Sequence, residues 1–114
     1  MDNMDALPRY EEAVIPNSKF LDYALNVEKQ PDKARTFNTA LGYSQDNAEK
    51  LIEQIKENLG KFPAKHKGNK GYGNIYEVIM ELPGANGKSA KVLTAWIDDI
   101  TNGEMRLTSV YVDK

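Results

Sequence analysis

Two Asn-Gly pairs, Asn86-Gly87 and Asn102-Gly103, divide the C-terminal part of the chain into three runs rich in β-branched and aromatic residues. Asn-Gly between such runs is the strongest local hairpin signal, because a two-residue type I′ turn needs positive φ at both central positions. Two in succession predict an antiparallel meander of three strands between Gly71 and Val112. With two-residue turns, register follows by counting outward. Tyr76, Val78 and Met80 then face Ile97, Ala95 and Leu93, and these face Thr108, Val110 and Val112. Alternate side chains share a face, so this set predicts an apolar core face. The other face would place Glu77, Trp96 and Ser109 in one row and Ile79, Thr94 and Tyr111 in the next. That aromatic and polar surface is the expected binding surface, although a slip of one residue would exchange the faces.

Upstream, Pro8 and Pro16 bracket apolar residues Tyr10, Val14 and Ile15, which predicts an extended segment with Val14-Ile15 as a short edge strand. Asn17 or Ser18 would cap a short helical turn over Lys19–Leu25, burying Phe20, Leu21 and Leu25. Pro31-Asp32 opens a helix to Leu41, with Ala34, Phe37, Ala40 and Leu41 at helical spacing and Gly42 at its C′ position. Ser44 caps a second helix from Gln45 to Leu59, whose stripe is Ala48, Leu51, Ile52, Ile55 and Leu59. Residues 61–74 read as a loop rich in lysine and glycine. The predicted fold class is α+β: an N-terminal extended segment and two helices on one face of an antiparallel meander of three strands, or four.

The length of 114 residues predicts a single domain, with residues 1–6 disordered. A formal net charge of −2 argues against a general nucleic-acid-coating protein, though not against a local basic site. With no cysteine, disulfides and thiolate zinc sites are ruled out. No apolar run approaches the roughly 20 residues of a membrane span. The acidic start has no adjoining apolar segment, so a signal peptide is not expected. The expected site of action is the cytoplasm, with export as part of a larger protein as the other route. Neither a cofactor nor a metal site is expected: one histidine and scattered carboxylates match no ligand spacing.

Several residues are candidates for chemistry. Lys61, Lys65, Lys67 and Lys70 surround His66 in a glycine-containing segment that could hold a phosphate backbone or simply be solvated. Lys33 and Arg35 oppose the macrodipole in the first turn of their helix, which a bound anion or Asp32 would offset. Arg106 is placed to pair with Asp99 across the second hairpin or to clamp a phosphate.

The chain also resembles a small bacterial domain family that occurs stand-alone and at the C-termini of polymorphic toxins and phage head-morphogenesis proteins. The resemblance rests on Val14-Ile15-Pro16, Lys19-Phe20, Tyr23-Ala24-Leu25-Asn26 and Lys33-Ala34-Arg35 through Phe37 to Leu41-Gly42-Tyr43. It continues with Tyr72-Gly73, Tyr76, Val78, Thr94-Ala95-Trp96-Ile97, Arg106-Leu107-Thr108 and Tyr111. Where members have His-Pro and a short glycine-containing spacer before Lys-Ala, this chain has Gln30-Pro31-Asp32. Helices followed by a meander ending in Thr-x-x-Tyr are also similar to the barnase, colicin and RelE-like ribonuclease toxins, a likeness at the level of fold.

These resemblances imply a toxin-like, metal-independent ribonuclease in which the RNA 2′-hydroxyl attacks the adjacent phosphate. Glu77 or His66 would be the base, and Lys33 and Arg106 would hold the phosphate. Thr108, Ser109 and Tyr111 would orient the substrate and Trp96 would stack a base, with Arg35, Lys65, Lys67, Tyr72 and Thr94 as further contacts. RNA and a cognate antitoxin or immunity protein are the implied partners. The alternative is a non-enzymatic module, a neutralising partner or phage-encoded inhibitor, that binds protein through the Trp96/Tyr111 face.

Overall fold

A computed structural model describes residues 5–71 and 73–113. The helices follow the sequence closely. Pro31 occupies the first position of α1 (Pro31–Leu41), where its missing N–H costs nothing, and Gly42 leaves the helix at φ 74°. The Ser44 hydroxyl accepts from Asp46 N–H, while Asn47 reaches back to Ser44 N–H at 2.8 Å. This capping box opens a 3-10 turn, Gln45–Asn47, that continues as α2 (Ala48–Asn58). Phe37 and Leu41 from α1 and Leu51 and Ile55 from α2 are fully buried.

The sheet is antiparallel and four-stranded, in the order β1 (Ala64–Asn69), β2 (Gly73–Pro83), β3 (Ser89–Asp99), β4 (Glu104–Val112). Both helices lie on one face, α1 over β3 and β4 and α2 over β2. The architecture is therefore α+β, as expected. The expected lysine-glycine loop contains β1, however. Nothing in Ala-Lys-His-Lys-Gly-Asn alternates as a buried strand does. Its strand character comes from the open edge of the eleven-residue β2, against which it pairs from Ala64↔Val78 to Asn69↔Asn74. Exposed lysines and a bulge between His66 and Gly68 are features that keep a sheet edge from pairing with another chain.

The register differs from the one counted outward from the turns. Among the described residues Arg9 is the one non-glycine with positive φ, so neither Asn86 nor Asn102 adopts the type I′ conformation. The first hairpin closes at Pro83↔Ser89, with Gly84 N–H donating to Lys88 C=O, and the second closes at Asp99↔Glu104 over a four-residue turn. Tyr76 consequently faces Trp96, Val78 faces Thr94 and Met80 faces Val92. β2 keeps its predicted faces, but β3 is inverted: Val92, Thr94 and Trp96 point into the core, and Leu93, Ala95 and Ile97 point the other way. A bulge on β4 at Thr108 restores the predicted face from Val110 onward, while Met105 and Leu107 before it face the core. In place of the expected rows Glu77–Trp96–Ser109 and Ile79–Thr94–Tyr111, the sheet aligns Glu77–Ala95–Ser109 and Ile79–Leu93–Tyr111.

The N-terminal segment ties both edges of the sheet together. Asp5 C=O accepts from Ala64 N–H at 2.7 Å, so the expected disorder does not extend to Asp5, and residues 1–4 lie outside the described residues. Leu7 is buried in the core, and Val14 forms a single parallel bridge to Arg106 on β4. The expected edge strand is thereby reduced to one residue. Phe20–Ala24 is a π-turn that buries Phe20 and Ala24, with Leu25 buried beyond it; Leu21, expected in the core, is exposed.

Candidate functional site

The bridge at Val14 covers β4 only as far as Arg106 and Leu107: Val14 N–H donates to Met105 C=O, and Leu107 N–H donates to Val14 C=O. Beyond it the strand bulges at Thr108, whose hydroxyl donates to Ala95 C=O at 3.1 Å. The π-turn and the start of α1 stand away from the edge here and leave a cavity of about 110 Å³. Its walls are Lys19 and Tyr23 from the π-turn, Gln30 and Lys33 from the start of α1, and Thr108, Ser109 and Val110 from β4. Pockets that bury a whole drug-sized ligand run to roughly 300–1,000 Å³, so this one takes a single group.

Among the described residues the lining includes two lysines, an amide, two aliphatic hydroxyls and the phenol of Tyr23, and no carboxylate. Lys33 Nζ stands 5.2 Å from the Tyr111 ring centroid. Lys19 and Lys29 stand 5.6 and 5.5 Å from the Tyr23 ring. All three are within cation–π range, which holds a flexible side chain near the cavity without neutralising it. Among the described residues none of the three lysines forms an ion pair. Chemically this is a recess for an anion such as a phosphate.

Of the other predicted cations, Arg106 and Lys67 are already partnered. Arg106 bonds Asp99 at 3.1 Å and approaches Glu104 at 3.9 Å. Asp99 also accepts from Thr101 N–H at 2.9 Å and Asn102 N–H at 3.3 Å. The Thr101 N–H, followed by Asn102 and Arg106, holds the Asp99 carboxyl below its ordinary range despite opposing burial. This cluster fastens the β3–β4 turn. Lys67 pairs with Glu77 at 3.8 Å. Lys65 is exposed opposite Glu77, and Arg35 lies on an outer side of α1 with Thr36, Thr39 and Ala40.

The predicted catalytic set is thus divided between the two edges of the sheet. Lys33, Thr108, Ser109 and Tyr111 come together at β4. His66 and Glu77 lie at the β1–β2 edge, with His66 Nε2 at 3.1 Å from Asn74 Oδ1 and its ring edge-on to Tyr76 at 5.3 Å. His66 on β1 is three strand spacings from β4, about 14 Å, and Glu77 on β2 is two spacings away, about 10 Å even in the row it shares with Ser109. Both distances exceed the reach of a base acting on a group in the cavity.

Trp96 and Thr94 leave the site altogether. Both are fully buried; Trp96 Nε1–H donates to Thr94 Oγ1, and Thr94 donates to Val78 C=O, each at 2.8 Å. An indole enclosed on the core side cannot stack a base. Tyr72 lies outside the described residues. Conversely, Lys19, Tyr23, Lys29 and Gln30 were not among the predicted site residues. The signal that marks two of them is the i, i+4 spacing of Lys19 and Tyr23, which places both on one side of a helical turn. Among the described residues, no three His, Asp or Glu side chains converge into a metal-binding group.

A family model described as a domain of unknown function, DUF6883, matches residues 6–114. No curated protein and no solved structure matches the chain.

Proposed function

The chain belongs to the DUF6883 family, and from that premise we propose that it is a toxin-like domain that binds RNA and cleaves it without a metal. The observation that carries this reading is the cavity at the β4 bulge, lined by two lysines that have no ion-pair partner among the described residues and, among these, by no carboxylate. A scissile phosphate occupies it. Lys19 and Lys33 offset its charge, and Gln30 and Ser109 supply polar groups around its oxygens. As the 2′-oxygen bonds to phosphorus in line, the bond from phosphorus to the leaving 5′-oxygen breaks, and the negative charge that grows on the phosphoryl oxygens is stabilised by lysines already in position.

In this reading the 2′-hydroxyl proton passes to solvent and the leaving 5′-oxygen takes a proton from the Lys33 ammonium beside Tyr111, so that neither His66 nor Glu77 is used. The domain acts in the cytoplasm, where its substrate is, and a cognate antitoxin or immunity protein restrains it. The rival protein-binding reading has less to rest on, because Trp96 is part of the core rather than of the helix-free face.

Expression in bacteria tests the reading. The wild-type domain arrests growth, and purified protein degrades total RNA in the presence of a chelator. Lys33→Ala relieves the arrest and slows cleavage by about 100-fold or more, the range for losing a preorganised charge-stabilising group. Intact RNA at high protein concentration, with and without divalent metal, together with harmless expression, would contradict it.

A further inference from the structure

We infer that the RNA this site accepts is single-stranded, with one unstacked base lying on the ring of Tyr23. The inference rests on the RNA reading above and narrows its substrate class. Tyr23 belongs to the π-turn Phe20–Ala24, whose Phe20 and Ala24 are locked in the core. Its backbone is therefore fixed while its side chain stays 45% exposed. Lys19 precedes it by four residues and Lys29 follows by six, so the ammonium groups within 6 Å of the ring come from both sides in sequence.

The cavity beside the ring takes a phosphate but is too small for a nucleoside. The base attached to a bound phosphate must lie outside it, and Tyr23 is the exposed aromatic residue in the cavity wall. The ring of Tyr111 is less accessible, being part-buried where Tyr23 is exposed. An aromatic platform with cations beside it matches a strand whose bases are free to stack and whose phosphates follow on each side. A base inside a duplex has both faces covered by its neighbours, and an A-form helix offers only phosphates, 2′-hydroxyls and base edges. An acidic peptide would meet the same lysines but would leave the aromatic plane unused.

The experiment uses the full chain and four probes: a short unstructured RNA with 2′-O-methyl groups to block cleavage, a duplex of equal charge, inorganic polyphosphate and polyglutamate. Wild type binds the single strand about tenfold or more tightly than the duplex. Tyr23→Leu weakens single-strand binding roughly 5- to 150-fold, the span for one base–aromatic stack, and weakens polyphosphate binding by clearly less. Tyr23→Phe retains the wild-type preference, and Lys33→Gln weakens the single strand, duplex and polyphosphate alike. The inference is overturned if Tyr23→Leu binds the single strand as wild type does, or if the duplex binds equally well, while polyphosphate still binds. Polyglutamate matching the single strand overturns it in favour of an acidic protein ligand. Failure of both RNA and polyphosphate to bind overturns the RNA reading itself. Unaltered thermal unfolding of the Tyr23 variants shows that they remain folded.

Discussion

At the residue scale, function separates from packing according to which polar groups are already satisfied. The Trp96 indole, Thr94 hydroxyl and Val78 carbonyl form a closed chain inside the core. Thr94→Val keeps the shape but leaves the indole N–H and the carbonyl unpaired, so about 1–3 kcal/mol of stability is lost, measurable by urea unfolding. RNA binding by the folded variant is unchanged. Asp99 also serves structure. Because its folded pKa is depressed, its stabilisation is present above the ordinary carboxylate range and disappears as pH falls through the folded value. Asp99→Asn therefore destabilises at neutral pH and flattens the acid limb of stability measured between about pH 5 and 2. Lys33 was legible in the sequence because a cation in a first helical turn is locally unfavourable. Tyr23, Lys29 and Gln30 were not, since their significance depends on which edge of the sheet the π-turn packs against.

At the element scale, the helices were readable because caps and a 3.6-residue stripe are local features. Pro31, Gly42 and Ser44 act within a few residues of where they stand. The register was not readable, because Val92 through Ile97 is apolar on both faces apart from Thr94. Either orientation of β3 satisfies hydrophobic patterning. The choice falls to turns that use glycine alone at positive φ, Gly87 at 83° and Gly103 at 69°. β1 was invisible for the opposite reason, having almost no apolar residue of its own. Close approach of backbones makes a sharp prediction here. A Cβ at Gly73 would lie 2.2 Å from Asp98 C=O, whereas one at Gly87 meets open space. Gly87→Ala thus costs only the left-handed backbone penalty of about 1–2 kcal/mol. Gly73→Ala must displace β3 and costs more, a ranking that thermal unfolding of the two variants resolves.

At the scale of the whole molecule, one sheet carries two polar edges with different electrostatics. At the β1 edge, Lys67 is paired with Glu77 and His66 is engaged with Asn74. At the β4 edge, Lys19 and Lys33 line a cavity that has no carboxylate among the described residues of its walls, and Lys29 stands beside the ring of Tyr23. A net charge of −2 makes such a local concentration of unpaired cations more significant, since long-range attraction of a polyanion gains nothing from the rest of the chain. On the proposed reading, RNA contact falls to the β4 edge and leaves the β1 edge out of it. Amide chemical shifts recorded while a short single-stranded RNA is titrated read this assignment directly. Shifts concentrated at Lys19–Tyr23, Lys29–Lys33 and Thr108–Tyr111 are the predicted result, and shifts confined to Ala64–Asn69 and Glu77 would contradict it.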